Sequence, residues 1–206
     1  MKYKALLIDL DGVIRNWHPS DESIEGKYNL PIGSMRPVAF SRELVEPAIT
    51  GAISDEEWRA RIAEKLDYRF GARGAVDAVA EWTAHPGEVD GMTLSLLSAC
   101  HSSIRLVLVT NATSRLPRDL QTLGLLDRFH AVVNSSQVRV AKPRTEIFRV
   151  ALERSGATPA QALFIDDTAA NVESAASLGI HSHAFVGHQG MSAFLRQAGV
   201  LRAEAP

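Results

Sequence analysis

Two carboxylates, Asp9 and Asp11, stand directly after an apolar run at residues 5–8. Buried strands rarely end in paired acids, because each ionised carboxylate must find a cation or hydrogen-bond donors. Three more polar clusters follow apolar runs further along the chain: Thr110-Asn111, Lys142-Pro143 and Asp166-Asp167. Together the clusters supply four carboxylates, one hydroxyl and one ammonium. That mixture suits phosphoryl transfer. A hard cation such as Mg²⁺ takes a few carboxylate or carbonyl oxygens and keeps its waters, and Asp9 and Asp166 are the expected ligands. Phosphoryl oxygens need donors, which Thr110, Lys142 and backbone N–H groups can provide. A carboxylate can itself attack phosphorus. A second acid two residues on can protonate the leaving oxygen and later activate water.

The elements that would hold these residues can be read from the apolar pattern. Near-continuous β-rich runs at 4–8, 104–109, 131–133, 162–165 and 183–186 fit strands covered on both faces. Helical spacing separates the later ones, at 89–100, 117–123, 146–154 and 170–178, each with a glycine near its end or a proline near its start. Strand–helix alternation predicts an α/β fold, a doubly wound parallel five-stranded sheet. The carboxyl ends of such strands line one crevice, so the four clusters should converge there.

Between the first two strands the rhythm breaks. Residues 16–85 carry amphipathic helical patterns and no strand-like run. One of them spans 54–66, with Ser54 as its cap and apolar residues at Trp58, Ile62 and Leu66. The expected division is a core of 1–15 and 86–206, interrupted by a helical domain over 16–85. Trp17 and His18 follow the first acids closely enough to line its hinge.

Composition is that of an ordinary globular chain: 206 residues, 46% hydrophobic, 22% charged, net charge −2. Nothing in that balance points to nucleic acid or an anionic membrane as partner. No stretch approaches the ~18 apolar residues of a membrane span. The one cysteine, Cys100, lies in an apolar helical pattern and reads as a packed thiol, so a cytoplasmic protein is expected. A monomer or homodimer acting on a small phosphorylated metabolite fits this composition and these clusters.

The segments "DLDGVI", "LVLVTN", "KPRTEIF" and "FIDDTAANVESAASLGI" resemble the four motifs of the haloacid dehalogenase superfamily, in the same order. The resemblance implies Asp9 as nucleophile and Asp11 as general acid/base, with phosphate held by Thr110 and the Asn111 backbone. Lys142 would neutralise nucleophile and phosphate. Mg²⁺ would be ligated by Asp9, Asp166 and the carbonyl of Asp11, with Asp167 in support. The helical insert is similar to the family's C1 cap. Within it, "GAISDEEW" resembles the caps of bacterial sugar-phosphate phosphatases and of the phosphatase domain joined to epoxide hydrolases. Arg144-Thr145 departs from the family, where many members carry an acid or small residue and then proline.

Each residue alone also has a plainer reading. Asp-x-Asp-Gly can be a turn, Thr110 a strand-end hydroxyl, Lys142 a surface amine, and Asp167 or Thr168 a helix cap. Asn171 more readily braces the Asp166-Asp167 loop than touches a ligand. His181 and His183 lack an acid or cysteine at ligand spacing and read as strand-edge packing. The implied function is a Mg²⁺-dependent phosphatase working through an aspartyl-phosphate. A 2-haloacid dehalogenase needs no proton for its leaving halide, so Asp11 argues against it. A sugar phosphomutase resembles the first motif, but carries Thr and His where Asn16-Trp17-His18 stand here. A response-regulator receiver places its acid pair first and is shorter. A catalytically inactive binding protein would not need every chemical position filled.

Overall fold

The computed structural model describes residues 2–17 and 21–202. The chain begins with β1 (Ala5–Ile8), turns into the two-residue β2 (Arg15–Asn16) and continues through five helices. These are α1 (Asp21–Lys27), α2 (Met35–Ala39), α3 (Arg42–Ile49), α4 (Asp55–Phe70) and α5 (Ala75–Trp82), followed by β3 (Glu88–Val89). The remainder alternates: α6 (Gly91–Ser98), β4 (Arg105–Thr110), α7 (Leu116–Thr122), β5 (Ala131–Asn134), α8 (Ser135–Val138), α9 (Thr145–Ser155), β6 (Ala162–Asp166), α10 (Ala169–Ser177), β7 (His181–Ala184) and α11 (His188–Gln197).

Five strands form one sheet in the order β5-β4-β1-β6-β7, and all its pairings are parallel. The unbroken apolar character of β1 follows from that central place. Leu6 and Ile8 pack into one hydrophobic cluster, with Leu108, Leu120, Ile165 and Leu195, while Ala5 and Leu7 pack into another, with Phe148, Phe164 and Val109. Helices therefore cover both faces. In register, Ile8 lies opposite Leu108 and Ile165, and Thr110 opposite Asn134. The polar residues that follow these positions all emerge at the carboxyl end of the sheet.

Helices α1–α5 build a separate core from Ile24, Met35, Trp58, Ile62, Leu66 and Val79. Helix α4 begins with a reciprocal cap: the Ser54 hydroxyl accepts from the Glu57 backbone N–H at 3.1 Å, and the Glu57 carboxylate accepts from the Ser54 N–H at 2.8 Å. The chain leaves and rejoins the sheet side by side, because β2 and β3 pair antiparallel, Arg15 opposite Val89.

Two expectations shift. The last strand lies at β7 rather than 183–186: Phe164 pairs with Ser182, and Tyr3 Oη lies 2.8 Å from His181 Nδ1. The apolar pair that suggested the later position lies past the strand, where Phe185 packs against the core and Val186 is exposed. Cys100 sits just beyond α6 rather than within it, in a bridge with Leu201. Among the described residues, no helix is long and apolar enough to cross a membrane.

Candidate active site

The loop after β1 is drawn tight by the Leu10 carbonyl, which accepts from the N–H groups of Val13, Ile14 and Arg15. Gly12 occupies the left-handed region at φ 78°, and a Cβ there would collide with the Asp167 carboxylate. Glycine is thus required twice over, by backbone conformation and by the approach of the last acid.

This turn aims Asp9 inward. Its backbone N–H donates to the Ile165 carbonyl at 3.0 Å, and its Oδ1 accepts from the Leu10 N–H at 2.7 Å. Lys142 Nζ lies 2.7 Å from Asp9 Oδ1 and 2.6 Å from Asp166 Oδ2, with the lysine side chain only 1% exposed. Burial by itself would lower the Lys142 ammonium, but the two carboxylates overcome it and hold it above the ordinary lysine value. Asp9 moves the other way. Burial pushes its carboxyl up to about 7, against the pull of Lys142 and with a further push from Asp166.

Lys142 owes its position to an interaction that sequence inspection missed. The Asn111 side chain clamps its backbone, accepting from the Lys142 N–H at 2.8 Å and donating to its carbonyl at 2.9 Å. Asp166 is braced by the Thr168 N–H and the Asn171 amide, each at 2.9 Å on Oδ1. Asn171 thus has the bracing contact expected of it. Thr168 begins α10 without a side-chain cap bond. Thr110 Oγ1 is buried and has no hydrogen-bond partner among the described residues, which leaves its donor free.

Asp9, Asp166 and Asp167 each place a carboxylate oxygen within 4.8 Å of the others. An all-oxygen set of this kind fits a hard divalent cation. Among the described residues, His181 and His183 join no such group. Each stacks or tilts against Phe194, and His181 also meets Tyr3.

Asp11 is bound at the other side of the loop. Arg15 Nε donates to its Oδ1 at 2.7 Å and Nη2 to its Oδ2 at 3.0 Å, and Trp17 Nε1 adds a third bond at 2.8 Å. Sequence inspection did not single out Arg15; its spacing of four residues from Asp11 was the available signal. Trp17 stands beside the first acids as expected, and His18 lies outside the described residues. The insert meets the second motif directly, through Asp55. Its Oδ1 accepts from Thr113 Oγ1 at 2.7 Å, and its backbone N–H donates to Ser114 Oγ at 2.9 Å. A separate cleft of about 630 Å³ on the insert, bordered by Arg42, Glu46, Lys65 and Arg69, contains none of these groups.

A family model described as haloacid dehalogenase-like hydrolase matches residues 3–179. The chain belongs to that family. This hydrolase is 36% identical over 120 residues to the pyrimidine 5'-nucleotidase YjjG of Escherichia coli, a match covering 55% of this chain and 49% of that protein. It is 29% identical over 111 residues to mouse haloacid dehalogenase-like hydrolase domain-containing protein 3, covering 53% and 44%. The matched segments thus span under half the length of these relatives. Among solved structures, a family enzyme from Bacteroides thetaiotaomicron, in complex with magnesium and inorganic phosphate, superposes with TM-score 0.70 at 25% identity, covering 88% of this chain and 93% of that one. L-2-haloacid dehalogenase from Xanthobacter autotrophicus shares the fold at TM-score 0.64 and 19% identity, covering 99% and 92%.

Proposed function

We propose that this hydrolase is a phosphatase of small phosphate monoesters, dependent on Mg²⁺ and working through an aspartyl-phosphate on Asp9. One observation carries the reading. The buried Asp9 is compensated by Lys142 and grouped with Asp166 and Asp167, and a second acid, Asp11, stands two residues away with its own donors. A halide leaves without a proton, so a dehalogenase has no use for that second acid. The magnesium–phosphate complex of the Bacteroides enzyme and the nucleotidase name of YjjG support the same choice.

In this reading, Asp9, Asp166 and the carbonyl of Asp11 hold Mg²⁺, with Asp167 in support. The cation supplies positive charge to the nucleophile and the phosphoryl oxygens. Lys142 adds a second cation, while the Thr110 hydroxyl and the Asn111 N–H donate to phosphoryl oxygens. The Asn111 side chain keeps Lys142 in place. A carboxylate oxygen of Asp9 attacks phosphorus, and the bond to the ester oxygen breaks. The electron pair departs with that oxygen, which takes a proton from Asp11. Water then gives a proton to Asp11 and attacks the phosphorus of the aspartyl-phosphate, releasing phosphate and free Asp9. The helical insert, divided from the core near residues 16 and 85, acts as a cap that excludes bulk water and limits substrate size.

The test is hydrolysis of p-nitrophenyl phosphate by the purified protein. Activity should vanish in excess chelator, return with Mg²⁺ and be absent from Asp9→Asn under all conditions. Release of chloride from 2-chloropropionate, without phosphatase activity, would replace this reading with the dehalogenase.

A further inference from the structure

Asp11 as acid/base has a requirement that its place in the chain does not meet. Its carboxylate must be held at one angle to a leaving oxygen that the protein does not fix covalently. We propose that Arg15 is the positioning residue that sets this angle, and that it takes its own position from the hinge of the helical insert. The proposal rests on the phosphatase reading above and deepens it.

Arg15 is 3% exposed, unusual for a residue so near an open site. Its Nε–Nη2 edge grips both oxygens of Asp11, the paired-donor geometry that fixes the plane of a carboxylate as well as its distance. Its remaining nitrogen, Nη1, reaches the Pro86 carbonyl and Asp119 Oδ2, each at 3.3 Å. Asp119 in turn binds Arg115 Nε at 2.7 Å, and Arg115 donates to the carbonyl of Thr83. Thr83 and Pro86 belong to the segment that returns from the insert to the sheet. Gly87 in that segment has φ 86°, and a Cβ there would stand 2.8 Å from Arg15 Cγ. The returning segment therefore closes on the arginine stem with no room for a side chain. Trp17 completes the arrangement, its ring 4.4 Å from the guanidinium carbon while its indole N–H donates to Asp11.

Arg15 and Asp119 are the buried members of this network, and each faces an opposite charge, Arg15 meeting Asp11 and Asp119 while Asp119 also meets Arg115, so neither is buried without a counter-ion. Turning the Asp11 carboxylate means breaking two charge-assisted bonds to a residue that cannot itself move while the hinge is closed.

The test separates proton-dependent from proton-independent bond breaking. Aryl phosphates with a good leaving group need no acid to form the phosphoenzyme, whereas alkyl phosphates do. Single-turnover alcohol release is measured for p-nitrophenyl phosphate and glycerol phosphate in the wild type, Arg15→Met, Arg15→Lys and Asp11→Asn. Arg15→Met should slow the alkyl ester by about 100-fold and the aryl burst by about threefold or less, following the size of general-acid catalysis. Arg15→Lys, which keeps the charge but not the fork, should fall between the two. Adding Asp11→Asn to Arg15→Met should cost little more for the alkyl ester, because both changes disable one unit. Trp17→Phe guards against misfolding of the arginine variants. The side chain is 46% exposed, and its loss of one N–H should shift the ratio in the same direction by a smaller factor. Equal slowing of both esters in Arg15→Met and Trp17→Phe would mean a merely structural role and overturn the proposal. A wild type that releases neither alcohol with Mg²⁺ would remove the phosphatase reading itself, before any variant is compared, and this role with it.

Discussion

Replacing Lys142 by Met keeps the length of the side chain and removes the charge shared by Asp9 and Asp166, at 2.7 and 2.6 Å. Removing one partner of a buried ion pair costs about 3–5 kcal/mol. For a chain of this size 1 kcal/mol moves Tm by about 2–4 °C, so the metal-free variant should melt about 6–20 °C lower. The loss should also depend on pH, with a definite sign. Burial has pushed Asp9 up to about 7 even with Lys142 present. In the wild type this raised carboxyl lends stability that is fully present below the ordinary aspartate range and is lost as pH climbs through about 7. Without the ammonium, Asp9 must be raised further. Below neutrality Asp9 is protonated in both folded proteins, so it does not separate them. Above it the folded wild type ionises while the folded variant keeps its proton, and the variant falls behind by up to about 1.4 kcal/mol per pH unit. The assay is thermal melting of both proteins in chelator at pH 6 and pH 8. The gap in Tm should widen by several degrees at the higher pH. A gap that is constant or narrows would show that Lys142 does not compensate Asp9.

Other perturbations probe the remaining contacts. Gly12→Ala puts a Cβ at φ 78° against the Asp167 carboxylate, so it should cost about 1–3 kcal/mol of stability and raise the Mg²⁺ concentration needed for half-maximal activity; unchanged Mg²⁺ dependence would contradict the contact. Asn111→Ala frees the Lys142 backbone and should lower turnover at least about tenfold with little change in melting, whereas full activity would leave the clamp without a role. Asp55→Ala unties the insert from Thr113 and should broaden the range of esters accepted, read from a panel of phosphorylated metabolites; an unchanged ranking would place selectivity elsewhere. Burial pushes the Cys100 thiol up to about 11, so iodoacetamide at pH 8 should modify it far more slowly than a free thiol, and rapid labelling would refute its packing.

The sheet and its chemical residues were legible because both are written locally. A central strand covered on two faces must be apolar at consecutive positions, and β1, with all four residues buried, is. The acids and the hydroxyl follow or end their strands in chain order and the parallel topology brings them to one end, while Lys142, in the loop beyond α8, is held there by the Asn111 side chain. Edge strand β7 lacked that signal. Its sequence His181-Ser182-His183-Ala184 is only partly buried, and the apolar Phe185-Val186 beyond it gave the wrong register. Within the insert, α4 was legible from its cap and its Trp58, Ile62 and Leu66 stripe, while α2 is too short to show a helical period.

Arg15 is the more instructive omission. Next to Asp-x-Asp-Gly it looks like the solvated end of a turn, and nothing nearby marks it as 3% exposed. What buries it lies far off in sequence: the Pro86 carbonyl is 71 residues away and Asp119 is 104. Neither has a recognisable type. Pro86 contributes a backbone oxygen that any residue could offer, and Asp119 sits on α7 as one acid among many. Groups that act on a ligand must be of one chemical kind, so they leave a pattern in the sequence. Groups that hold those residues in place need only a donor or an acceptor at the right point in space, so the hinge network around Asp11 becomes visible only when the chain is folded.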